Sequence, residues 1–263
     1  MRLPSVGVAE PEPNPTGAAV ADRFVMGAPL GRWQTNCWVV GDRERGSCVV
    51  IDPGEHGETR VPQLLDEAGV TCEAILLTHG HLDHIWAVPG LAADLDVPVL
   101  LHPDDRWLWD DPAAAFGAPS ALLEQEFGLT WRPPTDHLQQ VRGGAKLSFA
   151  GLRFDVDHNP GHTPGHVTFL GRELADVPVT FSLGSHQRGS DDVLFSGDLL
   201  FAGSIGRTDF PRGSTEAMMR SLVDTVLPLE DDTLVLSGHG PDTTVGHERA
   251  TNPFLHEAAS RTA

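Results

Sequence analysis

Residues 78–85 read Thr-His-Gly-His-Leu-Asp-His-Ile and follow the apolar run Ala74, Ile75, Leu76, Leu77. This segment constrains the fold more than any other, because His79, His81, Asp83 and His84 must share a small volume whichever way the backbone turns. The apolar run predicts a buried strand closed by a glycine turn. At a strand end His79 and His81 point to one side, since side chains alternate with period two. Asp83 and His84 lie past the turn and can face the same point from the other side. Imidazole and carboxylate donors together suit zinc, iron or manganese. One metal site is expected here, or two. The alternative is a polar loop rich in histidine, and four ligand-type side chains within positions 79–84 argue against it.

His-x-His-x-Asp-His after a strand is the signature of the metallo-β-lactamase-fold hydrolases, and the chain resembles that family in four further motifs, in order. Asp52 in Val-Val-Ile-Asp-Pro-Gly matches the early aspartate, and His162 in Pro-Gly-His-Thr-Pro-Gly-His matches a third histidine. Asp198 in Leu-Phe-Ser-Gly-Asp-Leu-Leu-Phe matches a bridging carboxylate, and His239 in Leu-Ser-Gly-His-Gly-Pro matches a last ligand. The resemblance spans about residues 24–257, and segments 204–213 and 248–255 narrow it to the short, bacterial glyoxalase II-like branch, which has no C-terminal helical domain.

The resemblance implies an α/β (α+β) chain folded as a four-layer αββα sandwich. It implies a first metal on His79, His81 and His162, a second on Asp83, His84 and His239, and Asp198 between them. Asp83 and Asp198 are the expected catalytic residues. Two divalent ions are expected, zinc first, with iron or manganese as alternatives. A water bridging two cations loses a proton near neutral pH, and the resulting hydroxide would attack the substrate carbonyl. Asp52 is expected to hold a ligand or a loop by hydrogen bonds. His166 is read as structural, and His102 as a surface residue.

The chain has 263 residues, 40% of them hydrophobic, enough for one large core over residues 23–263. Pro4, Pro11, Pro13 and Pro15 break up the start, so residues 1–22 read as a flexible extension with no apolar signal core. A net charge of -19 repels phosphate backbones and disfavours a nuclease. Three cysteines, none in a Cys-x-x-Cys pair, fit free thiols in a reducing cytoplasm. No apolar run approaches a membrane span.

Strands are predicted over 24–26, 36–40, 48–52, 74–77, 97–101, 146–149, 152–157, 167–170, 193–196 and 234–237. Helices are predicted near 59–68, 85–95, 120–127 and 215–227. The aromatic-rich stretch 102–136 is either a wall for substrate or a packed connection, and 171–192 is long enough for an extra hairpin around 177–183.

Glyoxalase II enzymes hydrolyse the thioester S-D-lactoylglutathione, holding its glutathione with a lysine and two tyrosines. At those positions this chain has Arg207, Asp209 and Pro241, and it has no tyrosine at all. Arg207 keeps the charge and is the expected contact for a substrate carboxylate. The expected activity is hydrolysis of a small-molecule thioester. The rivals are a persulfide dioxygenase with a single iron, and a lactonase or ester hydrolase on the same fold. Neither nucleic acid nor membrane is an expected partner.

Overall fold

Period-two alternation divides each of the first four strands between two cores. Along β1 (Arg23–Leu30), Phe24, Met26, Ala28 and Leu30 join one apolar cluster while Val25 joins another. In β4 (Thr71–Leu76) and the residue after it, Ala74 and Leu76 point into the second cluster, Ile75 and Leu77 into the first. A strand apolar on both faces needs cover on both. The structure, a computed structural model, describes residues 22–134, 136–172, 174, 179–180 and 192–261.

The first sheet continues with β2 (Thr35–Asp42), β3 (Ser47–Ile51), β5 (Val99–Leu101) and β6 (Leu138–Gln140). The second holds β7 (Lys146–Phe149), β8 (Leu152–His158), β9 (Val167–Arg172), β11 (Val193–Gly197), β14 (Leu234–Ser237) and β15 (Thr243–Thr244). The strand order is β10-β1-β2-β3-β4-β5-β6 in one and β15-β14-β11-β9-β8-β7 in the other, where β10 (Val179–Thr180) runs parallel to β1. A small hairpin, β12 (Leu200–Phe201) with β13 (Ser204–Ile205), stands apart.

Trp38, Val49, Ile51 and Leu76 of the first sheet meet Phe154, Phe169, Phe195 and Leu236 of the second to form the central core. Each such fully buried side chain contributes about 1.5–3 kcal/mol. The outer face of the first sheet packs on α1 (Gly57–Ala68), α3 (Val88–Leu95) and α4 (Arg106–Asp110). The outer face of the second packs on α6 (Thr215–Ser221), α7 (Val245–Thr251) and α8 (Pro253–Ser260). The layers are therefore αββα.

Two further helices, α2 (Leu82–Ile85) and α5 (Ala121–Phe127), lie near the end of the sandwich that carries the histidines. The single helix expected over 85–95 is broken in two, because Ala87 N–H donates to Pro53 O and Pro89 starts a new first turn. The last turns of the expected helix 215–227 are π-helical over Leu222–Val226. The expected extension, apart from Asp22, and the expected hairpin, apart from the backbone of β10, lie outside the described residues. Among the described residues no helix is long and apolar enough to cross a membrane.

Candidate metal centre

The loops after β4, β8, β11 and β14 converge at one end of the sandwich. The backbone ladder ends at Leu77, whose N–H donates to Leu100 O, because the next N–H is captured by a side chain: Thr78 N–H donates to Asp52 Oδ1 at 2.8 Å. His79 and His81 therefore stand in a loop, and the strand-end alternation expected for them is not what brings them together. Asp52 follows β3 in the left-handed region, at φ 51°, a strained turn for a residue with a Cβ. That turn aims its buried carboxylate at Thr78 N, Thr78 Oγ1 (2.6 Å) and His84 Nδ1 (2.9 Å).

All seven residues singled out as ligands come together. His79 Nε2 lies 3.1 Å from His81 Nδ1, which lies 2.8 Å from His162 Nε2. Three ring nitrogens so close have lone pairs to share and only two-fold hydrogen bonding to offer each other. Asp83 Oδ2 is 3.2 Å from His239 Nε2 and 3.5 Å from His84 Nε2. Asp198 stands between the groups, Oδ1 at 3.3 Å from His84 Nε2 and Oδ2 at 3.3 Å from His162 Nε2. His79, His81, His162 and Asp83, His84, His239 are each close enough to hold one cation.

The opposite ring nitrogens face outward to fixed acceptors. His84 uses Asp52, His162 Nδ1 donates to Arg207 O at 2.7 Å, and His239 Nδ1 to Trp33 O at 3.2 Å. An imidazole anchored at one nitrogen presents the other in a set direction. Glycine at 238 keeps the approach open, since a Cβ there would lie 2.3 Å from Asp198 Oδ1 and 2.7 Å from His84 Cε1.

Two observations show that the donor set fits cations. His84 Nε2 and Asp198 Oδ1 are buried polar atoms that, although 3.3 Å apart, are not aligned to hydrogen-bond each other and have no other hydrogen-bond partner, which is costly unless something else binds them. The protonation states suit cations in part: both carboxylates stay ionised and His79 and His81 stay neutral, whereas the carboxylates around His84 and His239 favour their protonated forms. Burial, and then the positive charge of His84 with smaller effects from its other histidine neighbours, holds His79 well below its ordinary value. Burial and then His162 push His81 down to about 3 against Asp83 and Asp198. For Asp83 and Asp198 burial opposes ionisation, yet the charges led by His84 hold both well below the usual carboxylate range. His84 is raised despite burial by Asp83, Asp198 and Asp52, so a cation would displace its proton.

Over the donors opens a cleft of about 380 Å³. Its walls are apolar, with Trp33, Leu82, Phe116, Phe201, Ile205 and Phe210. Within stretch 102–136, Phe116 lines the cleft while Trp109 is fully buried. Arg207 lies at the rim, but its guanidinium already binds Asp209 through Nε–Oδ1 (2.6 Å) and Nη2–Oδ2 (2.7 Å).

Sequence reasoning missed three supports. Asp105 is buried and accepts from Gly80 N, Gly165 N and Thr163 Oγ1 at 2.6–3.0 Å, tying the His79–His81 loop to the His162 loop. Thr35 Oγ1 donates to Asp83 Oδ2 at 2.9 Å, and Asn36 N–H to Gly238 O at 2.7 Å. The polar pair Thr35-Asn36 opening an apolar strand was the available signal; nothing marked Asp105. His166 Nε2 accepts from Asp198 N–H at 3.0 Å, which gives the structural reading of that histidine a specific partner. His102, expected at the surface, is buried and stacked on His158 at 4.1 Å.

A family model described as Metallo-beta-lactamase superfamily matches residues 30–175 and 180–239. The hydroxyacylglutathione hydrolase GloC of Haemophilus influenzae is 36% identical, over 87% of this chain and 96% of its own. The crystal structure of BLEG-1 B3 metallo-beta-lactamase superposes with a TM-score of 0.71 at 35% identity, covering 88% of this chain and 99% of that one. The crystal structure of TTHA1623 in a di-iron-bound form gives 0.66 at 37% identity, covering 87% and 98%.

Proposed function

The chain belongs to the metallo-β-lactamase superfamily of metallo-hydrolases, and from that premise we propose that it is a dinuclear hydrolase of small-molecule thioesters, of the glyoxalase II type. The observation that carries the reading is the pair of donor triads with Asp198 between them, open to an apolar cleft. His79, His81 and His162 would hold one divalent ion, Asp83, His84 and His239 the other, and Asp198 both. Zinc is the first choice for such donors; the di-iron form of TTHA1623 makes iron the second. When bound, the ions would polarise a carbonyl and lower the pKa of a water toward neutrality.

The chain's own residues supply the rest. Thr35 Oγ1 holds Asp83 Oδ2, the oxygen nearest His84 and His239, and so fixes the carboxylate that would accept the proton of the attacking water. His166 and Ser196–Gly197 backbone geometry keep Asp198 in place; a Cβ on Gly197, at φ 50°, would lie 2.6 Å from Thr78 Oγ1. Asp52, Arg207 O and Trp33 O hold three imidazoles in single orientations. A thiol leaves as thiolate with little help, having a pKa of about 8.5, so no separate acid is required in the cleft. That favours a thioester over an ester or a lactone. The likeness to GloC supports a hydroxyacyl group. Three free cysteines fit a reducing cytoplasm, and the -19 charge fits a small-molecule partner and no nucleic acid.

Protein purified without added metal should carry two divalent ions per chain by elemental analysis and should hydrolyse S-D-lactoylglutathione or another acyl thioester. Oxygen uptake with a persulfide and one iron per chain would establish the dioxygenase instead. Faster turnover of a lactone, or of a β-lactam as the BLEG-1 likeness would suggest, would move the substrate class.

A further inference from the structure

Among the described residues lining the cleft, Arg207 is the one cation other than the histidines. One edge of its guanidinium is filled by Asp209, and one face lies over the Phe210 ring at 4.2 Å. A planar fork bound along an edge is in the arrangement that a substrate carboxylate would otherwise take. The pair is also anchored beside the donors, because the backbone carbonyl of Arg207 accepts from His162 Nδ1 at 2.7 Å. Arg207 holds Asp209 down at about 2, so this internal carboxylate is ionised at neutral pH. Any second carboxylate must displace Asp209 or stand beside its negative charge, on a chain that carries -19 already. An uncharged ligand meets neither obstacle, and the remaining wall of Trp33, Leu82, Phe116, Phe201 and Ile205 favours it.

We propose that this cleft selects thioesters whose thiol carrier brings no free carboxylate to the rim, and that Asp209 is the residue enforcing that choice. The inference rests on the hydrolase reading and adds a substrate class to it. The Arg207 and Asp209 side chains keep 60% and 68% of their exposure, so their pairing is exchangeable and acts by competition. Neutralising Asp209 should hand the guanidinium edge to a substrate carboxylate.

The experiment uses the metal-loaded enzyme and two thioesters of one acyl group, S-lactoylglutathione and S-lactoyl-N-acetylcysteamine. The readout is the ratio of their kcat/KM values. Wild type should favour the uncharged carrier. In Asp209→Asn the ratio should shift toward glutathione by about fivefold, through KM, the scale on which exposed ion pairs act. Adding Arg207→Gln to that variant should remove the shift. A second readout is calorimetric binding of S-methylglutathione and of its dimethyl ester, which involves no hydrolysis; only the free acid should tighten in Asp209→Asn. A wild type that prefers glutathione, a ratio unmoved by Asp209→Asn, or a shift that survives Arg207→Gln would overturn the proposal. Binding that follows the pattern with neither thioester cleaved would overturn the hydrolase reading and leave the selection standing. Cleavage of both with binding unmoved would do the reverse.

Discussion

On the floor of the cleft six of the seven candidate donors have a partner outside the two triads: His79 has Thr78 Oγ1, His84 has Asp52, His162 has Arg207 O, His239 has Trp33 O, Asp83 has Thr35, and Asp198 has His166 through its backbone N–H. At the rim Arg207 holds Asp209 and lies over Phe210, and Phe116 is 43% exposed. Floor side chains are buried, or half-buried at Asp83 and His239, and most are held from behind; rim side chains can exchange partners in solvent. Chemistry that tolerates no misplacement sits where the fold fixes geometry, and selection sits where substitution is inexpensive.

The largest effect that could break this contrast is at the floor. Asp198→Ala removes the one carboxylate lying between both triads, and should lower kcat/KM by roughly a thousandfold while losing one or both ions. Asp110→Ala, which cuts only the exposed pair with Arg106, should stay within about twofold. Elemental analysis and thioester kinetics on both variants decide; similar values would remove any special role for Asp198.

A smaller effect tests the layer behind the ligands. Asp52→Ala leaves every donor in place but frees His84 Nδ1 and the Thr78 N–H. Metal affinity should fall about 10–100-fold, the usual loss when an orienting partner goes. Competition with a chelator of known affinity measures it. Unchanged affinity would mean that the floor is held by the ligands alone.

The same contrast governs what could be read from the sequence. The clustering of the seven floor side chains was legible because the His79–His84 segment is dense in ligand-type residues and the family resemblance ties His162, Asp198 and His239 to it, and the apolar runs marked most strands of both sheets. The short strands Leu138–Gln140 and Thr243–Thr244, and helices α7 and α8, were not, because they are secured by tertiary partners and not by periodicity. Thr243 Oγ1 and Asn252 Nδ2, for example, both bond the buried Glu248, which also accepts from Gly203 N–H. Asp105 was invisible for the same reason: its three donors lie at residues 80, 163 and 165, far apart in sequence. The position of Arg207 was legible, but its engagement by Asp209 required the loop geometry.

On the cleft wall, Phe116→Ala should act on substrate binding and leave the ions alone. Phe116 packs on Phe127 at 6.2 Å and otherwise faces the cleft, so truncation removes apolar surface from the substrate side. KM for an uncharged thioester should rise about three- to tenfold with kcat little changed, consistent with about 1 kcal/mol of lost apolar contact. A fall in metal content instead would show that rim and floor are not separable.

The smallest predicted effect lies where rim and floor meet, at Trp33, whose ring lines the cleft and whose carbonyl orients His239. Arg32 braces this residue: its guanidinium lies 5.5 Å from the Trp33 ring centre, 5.7 Å from Trp86 and 5.2 Å from Phe127. Glu55 in turn fixes Arg32, accepting from its backbone N–H at 2.7 Å and from Nη2 at 2.7 Å. The bond to Arg32 leads the causes that lower the Glu55 pKa from 4.5. A carboxylate depressed on folding contributes stability that is complete above its unfolded value and is lost as pH falls through the folded one. Glu55→Gln should therefore lower Tm by about 2–4 °C at pH 7, the shift that roughly 1 kcal/mol produces in a chain of this size. The gap between variant and wild type should close as pH is lowered past 4.5 and through the depressed value, because Glu55 then carries its own proton. Both proteins are melted after chelation, so that the floor residues titrate alike in each. A gap that stays constant down to acid pH would mean that Glu55 acts by shape, and that the brace on Trp33 does not depend on its charge.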